Sequence, residues 1–495
     1  MTFIGSGAGT DHAPDAQDSE LKIMAGQTLF EKLWREHQVA DLGGGNVLLF
    51  IDRVFLHERT GSIALKSLQE AGRAVRNPEH VFCVMDHIVD TRPGRTDETL
   101  VPGGRAFIET TREAARDADI QLIDIDDPRQ GIVHVVSPEL GVVQPGMTLV
   151  CPDSHTCAQG ALGALAWGIG SSEAEHAMAT QTLRLTKPKT MRVNFTGELG
   201  FGVTAKDMIL YLIASYGAAG GAGYAMEFSG SAVHALDIEA RLTLCNMAVE
   251  FSAFCAIIAP DEKTKDYLQH RPFSPRAEQW QQALAYWATL YTDDDARFDR
   301  EISVDCTAIE PMVTWGTSVE HACAISDAVP QLETAPGEAV GAAWQQAQQY
   351  MAVTGGTPLT SLPIDAAFIG SCTNSRLSDL RLAAEQLRGR QVAPGVRAIC
   401  VPGSSEVKRQ AEAEGLHQVF LDAGFEWRES GCSMCFFAGG ESFGFQERVV
   451  SSTNRNFESR QGPETRTHLA SPATVAASAV AGHLVDIRTL ARGDS

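Results

Sequence analysis

Residues 364–376 read IDAAFIGSCTNSR: a short apolar run that stops at Gly370, then a loop of Ser, Cys, Thr and Asn. The run has the length of a strand buried on both faces, and its abrupt change to small polar residues puts a chemically equipped loop at the strand's carboxyl end. Two neighbouring stretches repeat the pattern. VRAICVPG (396–403) leads into SSEVK, and HQVFLDAGF (417–425), also read as a strand, leads towards SGCSMC (430–435). Ligands of open α/β sheets bind outside the carboxyl ends of the strands, so these loops are expected to carry the chemistry.

The same alternation of apolar runs and helical patterns extends towards the N-terminus. VLLFIDRVF (47–55), HVFCVMD (80–86), IQLIDI (120–125) and MTLVC (147–151) read as buried strands, and SSEAEHAMATQTLRL (171–185) as a helix capped by Ser171 or Ser172. Ordered structure is expected to begin near Leu21, in a segment that puts Leu29, Leu33 and Trp34 at helical spacing. The glycine-rich GAAGGAGYAMEF (217–228) is a candidate join between units, and residues 261–299 look helical and exposed.

The 495 residues carry 40 Lys+Arg against 62 Asp+Glu, a net charge of −22, with 44% hydrophobic and 21% charged residues. Such a chain folds, into about two to four domains. Its acidity argues against a nucleic-acid footprint, which needs clustered Lys and Arg. The apolar run at 245–260 is too short for a membrane span and contains Glu250. The acidic N-terminus lacks a secretory or transit pattern, and the eleven cysteines are an odd, scattered set suited to a reduced compartment. A cytoplasmic protein is expected, with no membrane and no nucleic-acid partner.

Three constellations can carry chemistry. Cys432 and Cys435 form a Cys-x-x-Cys, with Cys372 sixty residues earlier. Such thiols can be buried core residues, a redox dithiol or ligands of one metal centre; a zinc knuckle would need a further pair that is missing. Three thiolates on an iron–sulfur cubane would leave one iron open as a Lewis acid. The second set is Asp86-His87, His134 and Asp153-Ser154-His155, each at the end of an apolar run. A carboxylate beside an imidazole fixes its tautomer and raises its basicity, as acid–base work near neutral pH requires. A Ser154–His155 hydrolase pair is disfavoured, because adjacent side chains are expected to diverge and no G-x-S-x-G elbow occurs. The third set is Asn454-Arg455-Asn456-Phe457-Glu458-Ser459-Arg460, whose arginines can grip carboxylates or simply be solvated. Asn246 and Glu250, four apart, would share a helical face.

With DSHT, GSCTNSR, GCSMC and NRNFESRQG in this order, the chain resembles the aconitase superfamily from about Met24 to Leu490, and within it the large subunits of isopropylmalate isomerases. The resemblance implies three α/β domains around a central iron–sulfur cleft: residues 21–200, 201–310 and 311–495, after a flexible tail at 1–20. It implies that Cys372, Cys432 and Cys435 hold a 4Fe-4S cluster with one open iron. Asp86 and His87 would protonate the departing hydroxyl, His134, Asp153 and His155 would orient hydroxide or water, and Glu250 would complete this catalytic set. Substrate would be met by His57, Ser154, Asn246, Asn454, Arg455 and Arg460, His57 standing where aconitases use Gln.

The implied reaction is dehydration of 3-isopropylmalate to an isopropylmaleate and rehydration to 2-isopropylmalate, in leucine biosynthesis. Alternatives are another branched malate (methylmalate with citraconate, or dimethylmalate) or a non-catalytic regulator. Family members also use a swivelling domain whose serine and arginine lie in a Gly-Ser-Ser-Arg loop, and neither Gly-Ser-Ser run here continues with Arg. A separate small subunit is therefore expected, together with a small dicarboxylate substrate. Departures from the family pattern at Ala240, Phe251, Phe254, Cys255 and residues 436–440 are expected near the pocket and bear on the substrate's alkyl group.

Overall fold

The computed structural model describes residues 26–435 and 440–490. The tail at 1–20, Leu21 and residues 436–439 lie outside the described residues. Strand β1 (Gln38–Gly43) and β2 (Asn46–Phe50) form a hairpin, and β3 (Arg53–His57) follows at once. The single run read at 47–55 is thus two strands in different sheets, because the chain bends at Ile51 and Asp52. The first parallel sheet adds β4 (Val81–Val84), β5 (Gln121–Ile123), β6 (Thr148–Cys151) and β7 (Leu165–Gly168), in the order β5-β4-β3-β6-β7. Strand β8 (Thr182–Thr186) pairs antiparallel with β2. The helix before it, Ser171–Thr180, is capped at Gly170 rather than at a serine, with the Glu173 carboxylate accepting the Gly170 N–H at 2.9 Å.

A second parallel sheet joins β9 (Lys189–Thr196), β10 (Tyr224–Ser229), β11 (Cys255–Ile257) and β12 (Arg300–Asp305) in the order β11-β10-β9-β12. The glycine run at 217–228 is not a join between units. It connects the helix Ala205–Tyr216 to β10 inside this sheet, and a Cβ on Gly220 or Gly221 would strike the Phe251 ring. The stretch 261–299 holds the helices Glu262–Leu268 and Glu278–Trp287, with Trp287 buried. A short antiparallel pair, β13 (Met312–Thr314) and β14 (Ala322–Ala324), precedes the third parallel sheet.

That sheet contains β15 (Ala366–Ile369), β16 (Arg397–Cys400), β17 (Glu426–Trp427), β18 (Arg448–Ser451) and β19 (Arg466–Leu469), ordered β17-β16-β15-β18-β19. The run HQVFLDAGF forms the helix Leu416–Ala423, not a strand, because Leu416, Phe420 and Ala423 bury one helical face. The order of the first sheet reverses direction between β3 and β6, and that of the third between β15 and β18. Loops diverge at such switch points and leave a crevice. His57 and Pro152-Asp153 stand at the first, the Cys372 loop and the Asn454 loop at the second. One contiguous apolar core underlies the first two sheets, and a separate core packs the third.

Candidate active site

The loops meet in a cleft of about 230 Å³ lined by His57, His87, His134, Asp153, Ser154, His155, Cys372, Cys432, Cys435, Arg455 and Arg460, among others. Of the residues singled out from sequence, Asp86, Asn246, Glu250 and Asn454 stand directly behind this lining. His134 does not end a strand; it sits in the first turn of the helix Val133–Glu139.

The acid–base groups form one connected chain. His87 Nδ1 lies 2.6 Å from Asp86 Oδ1, and Asp86 Oδ2 accepts the Val133 N–H at 2.8 Å. His87 Nε2 faces Asp153 Oδ2 at 3.4 Å, while Asp153 Oδ1 meets His134 Nε2 at 2.9 Å and the His155 N–H at 2.8 Å. His155 Nε2 continues to Glu250 Oε1 at 2.8 Å, and Arg455 Nε reaches the same oxygen at 2.7 Å. Ser154 Oγ lies 3.3 Å from His155 Nδ1, so these adjacent side chains do meet.

Burial opposes charge on His87, Asp153, Asp86 and Glu250, and the opposite charges outweigh it. His87 is held well above the usual histidine range by the carboxylates of Asp86 and Asp153. Asp153 is held well below the carboxylate range by its histidines, chiefly His134. Asp86 is lowered by His87 and Glu250 by His155 and Arg455. His57 behaves differently. Burial and then the charge of His87, on which it stacks with ring centroids 4.0 Å apart, push it down to about 4. Its Nε2 meets the Pro152 carbonyl and the Thr60 hydroxyl, each at 3.1 Å.

On the facing wall, Asn246 Nδ2 points at Cys372 Sγ (3.2 Å), Asn454 Nδ2 at the same sulfur (3.6 Å), and Arg460 Nη2 at Cys435 Sγ (3.7 Å). All three cysteines are buried, and no disulfide joins any of the eleven. Burial raises the Cys372 and Cys432 thiols, Cys372 to about 12. Left to themselves these sulfurs stay protonated, and a metal centre is what would ionise them. Amide and guanidinium donors aimed at sulfur suit thiolates, and three soft ligands in one cleft suit an iron–sulfur cluster. The donor set therefore fits that group.

Sequence reading missed several residues here. Glu58, fully buried, accepts the N–H groups of Asp86 (2.9 Å) and Ile88, pinning the turn that carries His87. Burial lifts its carboxyl to about 7. Glu58 together with His57, Asp86 and His87 brings potential metal-ligand atoms within 4.8 Å of one another, but its oxygens and those of Asp86 are taken by backbone N–H groups and His87. Arg59, Thr60, Ile132 and Pro152 also line the cleft.

The aromatic departures lie elsewhere. Phe251 packs on Gly220 and Gly221, Phe254 on Trp167 at 5.3 Å, and Cys255 is buried in β11, so none of them narrows the cleft.

Three parallel sheets whose loops combine a carboxylate–imidazole chain, two arginines and three thiols define an acid–base enzyme of the hydro-lyase class. The chain belongs to the aconitase family: the family model for the aconitase family (aconitate hydratase) matches residues 31–482. The 3-isopropylmalate dehydratase large subunit 1 of Bradyrhizobium diazoefficiens is 51% identical over 467 residues, covering 94% of this chain and 98% of that one. A solved structure, the holo-form of aconitase X from Thermococcus kodakaraensis, aligns over 87% of this chain and 90% of its own at 13% identity, with a TM-score of 0.45.

Proposed function

We propose that the chain is the large subunit of an iron–sulfur hydro-lyase that interconverts 3-isopropylmalate and 2-isopropylmalate through an isopropylmaleate, a step of leucine biosynthesis. The observation that carries this reading is the convergence of the Asp86–His87–Asp153 chain and three thiols on one cleft; the substrate follows from the 51% identical dehydratase subunit. Cys372, Cys432 and Cys435 would hold a 4Fe-4S cluster, which supplies Lewis acidity towards substrate oxygen. Arg455 and Arg460 grip the substrate's carboxylates through their planar forks. His87, kept protonated beside Asp86, gives its proton to the departing hydroxyl. His134 and His155, anchored on Asp153 and Glu250, hold the released water for its return to the neighbouring carbon. His57, neutral and stacked on His87, keeps that ring in place, and Ser154, Asn246 and Asn454 complete the polar wall. The base that takes the carbon-bound proton would come from a separate small subunit. The three units are proposed to follow the divisions 21–200, 201–310 and 311–495, with β9 at the end of the first range pairing into the second sheet, in a cytoplasmic protein.

The test is anaerobic reconstitution with iron and sulfide, followed by assay with the cognate small subunit against a panel of alkylmalates. Iron–sulfur absorbance and preferential turnover of isopropylmalate are expected. Absence of the chromophore in the wild-type chain sinks the cluster, and preferential turnover of another alkylmalate sinks the substrate.

A further inference from the structure

Lys206 is a cation in an unfavourable place. It lies in the first turn of the helix Ala205–Tyr216, where the helix dipole opposes positive charge, and it is inaccessible to solvent. Its ammonium donates to the carbonyls of Ser452 (2.9 Å) and Thr453 and to Asn374 Oδ1 (3.4 Å), three neutral acceptors for three N–H groups. Among the described residues no carboxylate comes within ion-pair distance of it. Asp207, its neighbour on the helix, is turned to the Thr204 cap and the Met312 N–H. Asp379 accepts from Asn374 Nδ2 (2.9 Å) and the Arg376 N–H (3.0 Å), and burial lifts its carboxyl to about 7. A second buried cation, Arg376, binds the Cys372 and Thr373 carbonyls at 2.8 Å, so two buried cations stand beside Asp379 and Asp207, and burial lifts the Asp207 carboxyl too, to about 6. An unpaired buried charge is costly unless something compensates it.

The acceptors of Lys206 show what could. Asn374 lies two residues beyond Cys372, and Ser452-Thr453 lead directly into Asn454, whose amide points at Cys372 Sγ. The lysine thus bridges the two loops that meet at one sulfur, reaching them from a helix that belongs to a different sheet. Burial draws it down to about 7 against the upward pull of Asp379, Asp207, Cys372 and Glu250.

We infer that Lys206 is a positioning residue for the iron–sulfur centre: it fastens the Cys372 loop to the Asn454 loop and sets a buried positive charge against the ligating thiolates. The inference rests on the cluster reading above. Ionised thiols supply the negative charge that this pocket lacks, and by reciprocity the lysine favours the loaded state over the empty one.

The experiment compares wild type, Lys206→Met and Lys206→Gln as full chains, with and without the reconstituted cluster. Expected for Lys206→Met are roughly tenfold faster loss of iron to a chelator, a reduction potential shifted to more negative values, and a larger fall in melting temperature loaded than unloaded. Lys206→Gln, which keeps donors and drops the charge, shows the same potential shift and serves alone where Lys206→Met does not fold. If the wild type loads a cluster and the variants match it in iron loss and potential, or lose equal stability in both states, the inference falls and Lys206 is structural. If the wild type takes up no chromophore, the cluster reading itself fails.

Discussion

Asp86 does two jobs with one buried carboxylate: one oxygen holds His87 at 2.6 Å and the other anchors the Val133 N–H at the start of the helix bearing His134. Asp86→Asn preserves shape but removes the charge that keeps His87 protonated. With the cluster loaded and the small subunit present, kcat is expected to fall about 10²–10⁴-fold with KM nearly unchanged; steady-state kinetics checks this, and a KM-only effect would refute it. Glu58 acts one step further back. Glu58→Gln turns an amide N–H against one of the two backbone N–H groups it now accepts, and about 1–3 kcal/mol of stability should be lost in a denaturant titration. Asp86 was legible because it adjoins His87 in the chain. Glu58 was not, because its partners are backbone N–H groups 28 and 30 residues away, which no side-chain pattern marks.

At the level of elements, the bend between β2 and β3 is held by Asp52, whose carboxylate accepts the Thr148 N–H of β6 at 2.8 Å and meets His37 Nε2 at 2.8 Å at the end of the first described helix, Leu29–His37. Burial opposes both charges, yet pairing leaves Asp52 below and His37 above its ordinary range. The carboxylate's contribution is present above its unfolded pKa and lost as pH falls through the folded one. The imidazolium's is present below about 6.5 and lost as pH rises through its raised folded value. The melting-temperature gap between wild type and His37→Gln should therefore be widest near about pH 5 and shrink on both sides; a gap flat with pH would count against the pair. A second joint is Gly160, where an added Cβ would lie 1.7 Å from the Ala256 carbonyl oxygen of β11. Gly160→Ala should cost about 1–3 kcal/mol, read from the urea midpoint. Most strands were legible as apolar runs. The helix at 416–423 was not, since a short run rich in Val, Phe and Leu fits a strand and a buried helix equally until its packing partners exist.

Across the whole molecule, the third sheet brings the sulfurs and arginines to acid–base groups carried by the first, and the contact is made through backbone: the Cys432 N–H donates to the Asp86 carbonyl at 2.9 Å, and the Ile132 N–H to that of Gly403 at 2.8 Å. Motif order in the sequence named the thiols and the Asp–His groups, but not the helix from the middle sheet that ties the Cys372 loop to the Asn454 loop, because Lys206 carries no motif. Among the described residues, the acid–base groups of the cleft are already engaged. His87 is held protonated, His57 is neutral with its Nε2 engaged, and Asp153 and Glu250 are each bound by imidazole, with Arg455 on Glu250 as well. Groups so paired are poised to give protons and hold water, whereas eliminating water across a carbon–carbon bond also needs a base for the carbon-bound proton. If that base comes from a second chain, the cluster-loaded large subunit alone should turn over isopropylmalate at least about 10²-fold more slowly than with its small subunit. Adding separately purified small subunit should restore the rate saturably, as measured by formation of the isomeric malate. Full turnover by the isolated chain would show that the base lies within these residues after all.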